Sequence, residues 1–463
     1  MKARVMESVP RDLRHLWHPC SQMKDYAETP PVKIVRGRGV HLYDATGQCY
    51  IDGISSWWVN LFGHANPRLN RVLARQSRTL EHVLFAGFTH EPAVAYAEAL
   101  VRVAPPGLTK VFFADNGSSA VEAALKMSYQ YAVQKAGKKR PLFIALSGGY
   151  HGETVGALSV GGLPLYRTVY SGMLMPVRFA AAPACLSCPY GKTPVSCDAE
   201  CLSSLKILLR KTGADRVAGI IVEPLVQCAN RMNMYPPVYL KKLRALCDRA
   251  RVHLIADEIA VGFGRTGRLF ACEHAGISPD LLCLSKGITG GYMPFSAVLA
   301  TQDIFDAFYG DWHSGRAFLH SHSYTGNPLA AALALEVLHI FRGERILAKM
   351  KPRITQMGER LRALSRHPFV SGIRQTGLIG AFDLVCDKES GQPFASRLRA
   401  GRVVCRAALT HGALLRPLGD TIYFMPPLVV SEREMDRLFD AAVKALGALG
   451  TGRARGRGDQ VQK

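Results

Sequence analysis

The stretch that decides the fold is Ile255–Gly291, IADEIAVGFGRTGRLFACEHAGISPDLLCLSKGITGG. With the residues just before it, it predicts two short apolar strands, each running into one ionisable residue. Val252–Ala256 leads into Asp257, and Asp280–Ser285 leads into Lys286 and a glycine-rich turn. Short apolar runs bounded by turn signals fit the fully buried strands of a parallel sheet. A lysine at the end of such a strand can lose its proton and attack a carbonyl. An aspartate at the end of another strand can hold a ring nitrogen protonated. Those two groups are what pyridoxal 5'-phosphate (PLP) requires of a protein. The same pair also fits a purely structural buried ion pair.

The residues upstream bear on that choice. Val111–Ala114 reads as a strand, followed by Asp115-Asn116-Gly117-Ser118-Ser119 and a long helix, Ala120–Ala136. Strand, Gly-Ser turn and helix make a phosphate cradle, because backbone N–H groups at a helix N-terminus point outward and its dipole favours an anion. Leu142–Leu146 is the next strand and leads to Gly148-Gly149-Tyr150-His151-Gly152-Glu153, an aromatic flanked by glycines and suited to stacking on a flat ligand. Ala218–Val222 ends in Glu223-Pro224, Leu240–Arg251 is a helix, and Phe295–Ala300 is a further apolar run. Strands alternating with helices mean a mostly parallel α/β sheet, whose ligands sit at the carboxyl ends of the strands. Gly117-Ser118, Tyr150, Glu223, Asp257 and Lys286 all fall there.

The flanking regions differ in kind. Met1–Tyr26 reads as an irregular arm, and Val32–Val35, His41–Asp44 and Cys49–Asp52 as a small meander. GISSWWVNLFG (53–63) holds adjacent tryptophans, Trp57 and Trp58, which are read as core in preference to a pocket wall. Beyond Tyr324–Pro328 come helices and β-like segments of an α+β region. The expected organisation is an arm with part of a small domain at 1–65, a large domain at 66–335, a small domain at 336–449 and a disordered basic tail at 450–463.

A chain of 463 residues with 48% hydrophobic and 20% charged residues is an ordinary globular composition. The N-terminus has no apolar run of a secretory leader and no stretch is long enough to span a bilayer, so a cytoplasmic protein is expected. The formal charge of +22 invites a nucleic-acid or membrane reading. The basic residues are mostly dispersed along helices, only the tail is compactly basic, and neither partner is expected. Of the twelve cysteines, four cluster as Cys185-x2-Cys188-x8-Cys197-x3-Cys201. A zinc or iron–sulfur site and plain reduced thiols both fit, but the x8 and x3 spacings depart from the usual zinc patterns, and no metal is expected.

The set NGSSAVEAALKM (116–127), GGYHGET (148–154), EPLVQ (223–227), LIADEIAVGFGRTG (254–267), LCLSKGITGG (282–291) and HSHSYTGNPLA (320–330) resembles the class III (ω-type) aminotransferases of PLP fold type I. HLWHPCSQMKDY (15–26), GISSWWVNLFGHANP (53–67) and LLRPLGDTIYFMPP (414–427) are similar to the branch serving biotin synthesis, which aminates 8-amino-7-oxononanoate. The likeness runs from about Leu13 to Leu446. It implies a seven-stranded, mostly parallel sheet with a smaller α+β domain built from both chain ends. It implies that Lys286 is the Schiff-base lysine, that Asp257 pairs with the pyridine nitrogen and that Gly117 and Ser118 bind the phosphate. His322 and Ser323 would contact the phosphate of a partner subunit, so a homodimer is implied. Tyr150 would pack on the ring and line the substrate pocket. Trp57 and Ser321 would also line that pocket, and Arg416 would hold a substrate carboxylate.

Two positions depart from some members of that branch: Cys20 stands for a tyrosine, and Glu153 for an aspartate. Both bear on the amino donor, S-adenosylmethionine by the main reading and lysine by the alternative. Another class III activity, on ornithine, 4-aminobutyrate or a polyamine, is the enzyme rival, and a basic RNA-binding protein the rival of another kind.

Overall fold

A computed structural model describes residues 8–137 and 140–450. The basic tail therefore lies, but for Gly450, outside the described residues. At the centre is a seven-stranded sheet in the order β4 (Leu108–Ala114), β12 (Ser296–Thr301), β11 (Leu281–Leu284), β10 (His253–Asp257), β7 (Val217–Val222), β5 (Leu142–Leu146) and β6 (Val177–Ala180). Neighbours pair in parallel from β11 to β6, whereas β12 runs antiparallel to both β11 and β4. The run at Phe295–Ala300 is thus the one reversed strand of this sheet. The glycine-rich turn after Lys286 folds it straight back along β11, with Ala297 opposite Leu284.

The strands are apolar throughout because both faces are covered. Successive residues belong to different cores: Ile255, Leu281 and Cys283 pack with Ala120, Ala123 and Ala124 of the helix Gly117–Ala136, while Leu254, Ala256, Leu282 and Leu284 pack into the larger cluster on the other face. Small side chains let that helix lie close to the sheet, which brings its N-terminus beside the strand ends.

The two chain ends meet in a second sheet. The meander β1 (Ile34–Arg38), β2 (His41–Asp44) and β3 (Cys49–Asp52) is extended by β15 (Ala413–Leu414), which pairs in parallel with β3. A third, antiparallel sheet holds β13 (Val370–Thr376), β14 (Ile379–Leu384), β17 (Thr421–Phe424) and β16 (Pro417–Leu418). The arm is more regular than expected, with a two-turn helix at Ser8–His15 and a single turn at Asp25–Glu28. Asp25 is gripped by Arg399 through both carboxylate oxygens (2.9 and 2.8 Å) and by Arg402, which ties the arm to the C-terminal region.

Candidate active site

Five strand ends open into one cleft of ≈ 1640 Å³, lined by Gly117, Ser118, Tyr150, Glu223, Asp257 and Lys286. The register explains the convergence. Ala256 lies opposite Val222 and Asp257 opposite Cys283, so the carboxyl ends of β7, β10 and β11 stand level. Lys286 follows β11 with a left-handed backbone (φ +48°), and its Nζ lies 4.4 Å from the centre of the Trp58 ring. Burial holds its ammonium below the ordinary lysine range, against the opposing pull of Cys228, Asp257 and Glu223. The neutral, nucleophilic amine is correspondingly easier to reach.

Asp257 is buried and its two oxygens are held separately. Oδ1 accepts the Ile259 N–H (3.1 Å), and Oδ2 accepts from Nδ1 of buried His151 (2.7 Å). Burial alone would push the His151 imidazolium down. The hydrogen bond from His151 to Asp257 and the charges of Asp257 and Glu223 outweigh it, and its pKa is raised. Glu223 accepts the backbone N–H groups of Tyr150 and Cys228, both at 3.0 Å. Burial lifts its pKa to about 7, with His151 opposing and Asp257 adding to the rise.

At the other end, the helix Gly117–Ala136 begins at Asn116, whose side chain accepts the Ser119 N–H. Asn116 also keeps the first N–H groups of a 20-residue helix facing the cleft. Gly152 (φ +123°) passes so close that a Cβ there would fall 2.2 Å from Ser118 Oγ. Tyr150 donates its hydroxyl to Glu153 Oε1 (2.9 Å), and burial with that bond raises its pKa. An anion cradle, a planar side chain, a buried carboxylate and a lysine in one cleft are the donor set that PLP requires, and the residues present fit it.

The tryptophan pair splits: Trp58 is buried while Trp57, 40% exposed, lines the cleft. The cause is a left-handed turn over Ser55, Ser56, Trp57 and Trp58 (φ +51°, +46°, +72° and +74°), which costs L-residues about 1–2 kcal/mol each. Asp52 offsets it by accepting Ser56 N–H (2.9 Å) and Ser56 Oγ–H (2.8 Å). Ser55 Oγ donates to Met425 O (2.7 Å), and Trp58 Nε1 donates to the Tyr423 hydroxyl (3.1 Å). Buried Arg265 closes the clamp, donating to the carbonyls of Trp58 (3.1 Å), Asn60 (3.0 Å) and Pro426 (2.7 Å). Arg416 rests on the Trp57 ring at 4.5 Å and donates to Cys20 O (3.3 Å), so Cys20, Trp57, Glu153 and Arg416 share one end of the cleft.

Ser321, His322 and Ser323 do not line this cleft. Ser321 and Ser323 are exposed, and His322 pairs instead with Asp115 (3.3 Å). His151 was quoted within its motif and Glu223 marked at its strand end, both without a role, and Asp52 and Arg265 were passed over. Their partners lie far away in sequence, so nothing in the local pattern marks them. The four clustered cysteines are free thiols, as are the other eight. Among the described residues no group of three or more His, Cys, Asp or Glu side chains is placed to hold a metal ion.

The chain belongs to the class-III aminotransferases, whose family profile matches residues 22–446. The fold is that of PLP fold type I. Among its relatives, the adenosylmethionine-8-amino-7-oxononanoate aminotransferase of Geobacter sulfurreducens is 45% identical over 94% of this chain and 96% of that one. The protein of the same name from Helicobacter pylori is 41% identical over 95% and 98%. The crystal structure of the Methanocaldococcus jannaschii adenosylmethionine-8-amino-7-oxononanoate aminotransferase superposes with a TM-score of 0.91 at 36% identity, covering 96% of this chain and 99% of that one. The ω-transaminase of Pseudomonas jessenii in complex with PMP superposes at 0.90 with 30% identity, over 96% and 98%.

Proposed function

We propose that the protein transfers an amino group from S-adenosylmethionine to the ketone of 8-amino-7-oxononanoate, giving 7,8-diaminononanoate, with PLP as cofactor. The observation that carries the reading is Arg416 stacked on Trp57 at one end of the cleft whose other wall holds Lys286. A guanidinium fixed on an indole suits a carboxylate at the end of an apolar chain. The relatives that share nearly the full length carry names for this activity.

Bound here, PLP supplies a carbonyl that takes up an amino group and a ring that accepts the electron pair released at the donor Cα. The N–H groups of Gly117 and Ser118 hold its phosphate at the helix N-terminus. Asp257, kept in place by His151 and the Ile259 N–H, holds the proton on the ring nitrogen. Tyr150 covers a face of the ring. Lys286, favoured as the neutral amine by burial, attacks the carbonyl carbon and later carries a proton away from the substrate Cα and back. Arg416 orients the oxononanoate by its carboxylate. Ser321, His322 and Ser323, outside the cleft of their own chain, complete that of a second copy in a homodimer. Exposed Leu84, Phe88, Trp312, Leu319 and Tyr324 supply apolar surface for that contact. We place the dimer in the cytoplasm, without nucleic-acid or membrane partners.

A second reading keeps the acceptor and takes lysine as donor. Glu153, an exposed carboxylate on the cleft wall, favours it as a counter-charge for a second ammonium. Incubating the holoenzyme with 8-amino-7-oxononanoate and, separately, S-adenosylmethionine, lysine or glutamate, and weighing the product, decides. Diamine formed with S-adenosylmethionine alone is expected. Diamine with lysine alone selects the second reading, and none with either refutes both.

A further inference from the structure

A second groove lies apart from the cleft and shares no residue with it. It runs along the helix Pro67–Gln76, whose start is fixed by Asn66 accepting from the N–H groups of Arg68 and Leu69. Arg68, Arg71 and Arg75 fall three and four residues apart, the spacing that stacks side chains along one side of a helix, and Arg78 follows just beyond its end. All four line a groove of ≈ 590 Å³. Arg68 is neutralised by Glu336 (2.7 Å) and Glu344 (3.0 Å). Among the described residues no carboxylate pairs with Arg71, Arg75 or Arg78. Like charges in a row along one helix face oppose helix formation. Three exposed guanidiniums without counter-charges, in a chain of net charge +22, form a strong local positive field.

We propose that this groove binds an oligophosphate, inorganic or carried by a nucleotide, with Arg71, Arg75 and Arg78 as its ligands. Guanidinium forks bind phosphoryl oxygens two at a time. Arg71 and Arg75 are separated by about 6 Å along the helix, a span that two or three linked phosphoryl groups bridge. Thr79 adds a hydroxyl at the end of the row. The remaining wall is Val72 and Ala74, with no aromatic ring on which a base could stack. That argues for a phosphate chain and against single-stranded nucleic acid, which depends on such platforms.

The test titrates the holoenzyme with inorganic tripolyphosphate, ATP and a twelve-nucleotide uridine RNA by calorimetry, at low and physiological salt. The proteins are wild type, R71S/R75S, and R249S/R406S, which removes the same charge from exposed sites elsewhere. Expected is saturable tripolyphosphate binding, weakened about ten-fold or more in R71S/R75S and little changed in R249S/R406S, with aminotransferase activity unaltered in both. ATP binding as tightly as tripolyphosphate assigns the site to the phosphate chain alone, and ATP binding more tightly assigns it to a nucleotide. The proposal is overturned by absent binding, by equal weakening in both double variants, or by RNA binding more tightly than either phosphate through Arg71 and Arg75.

Discussion

Glu223→Gln tests the electrostatics of the buried cluster most directly. The carboxyl is 5% exposed and its pKa stands at about 7, against an ordinary 4.5. Its folded-state pKa is raised, so between those values the native protein holds a proton that the unfolded chain has lost. Stability therefore falls as pH rises through that window. At roughly 1.4 kcal/mol per pH unit the full cost is about 3 kcal/mol, absent below pH ~4.5 and complete above pH ~7. Glutamine removes this titration. It also offers one acceptor to two N–H donors, Tyr150 and Cys228, a pH-independent loss of about 1–3 kcal/mol. The variant is expected to be the less stable protein at pH 4.5 and to match or exceed wild type at pH 8. The difference between them changes by about 3 kcal/mol across the range. At ~2 cal/mol/K of unfolding entropy per residue, that is about 3 °C in melting temperature for a chain of this length. Differential scanning calorimetry of the cofactor-free proteins at half-unit steps reads it. Parallel melting profiles for the two proteins from pH 4.5 to 8 would refute the assignment of this titration to Glu223.

Lys286→Ala is expected to fold and to lose turnover by more than about 10³-fold, and borohydride should no longer attach PLP covalently to the chain. Label retained in that variant would move the reactive amine elsewhere. Arg416→Ala removes a charge-assisted pair worth about 1.5–3 kcal/mol, so the KM of the carboxylate substrate should rise roughly 10- to 100-fold with little change for the donor. An unchanged KM would take Arg416 out of the site. His151→Phe leaves Asp257 with only the Ile259 N–H. Because the His151 pKa is raised, its stabilisation is complete below its unfolded value, near 6.5, and is lost as pH rises through its higher folded value. The stability gap between wild type and His151→Phe should thus be widest near pH 6 and shrink in alkali, as urea midpoints would show.

Much of this was legible from strand ends. Asp257 and Lys286 could be read because buried parallel strands are apolar without interruption, so an ionisable residue marks where each leaves the core. Gly117-Ser118 and Tyr150 could be read from turn chemistry. The hand of the 55–58 turn was not legible, because four non-glycine residues in a left-handed backbone oppose local preference. They are held by Asp52, Arg265 and carbonyls hundreds of residues away. For the same reason the tryptophans read as one hydrophobic unit, when one is core and the other lines the cleft. The arm's first helix was missed because a single proline, Pro10, was taken to break it, whereas proline is tolerated in a helix's first turn.

The left-handed turn also makes the cleft a length gauge. Lys286 stands over the indole of Trp58 and Arg416 over that of Trp57, so the reacting amine and the carboxylate anchor are referenced to consecutive residues of one clamped backbone segment. Their separation is then set by a dipeptide and not by the relative pose of two distant sheets. A keto acid one or two methylenes shorter or longer meets a ruler that does not stretch, and chain-length discrimination becomes a property of the turn's rigidity.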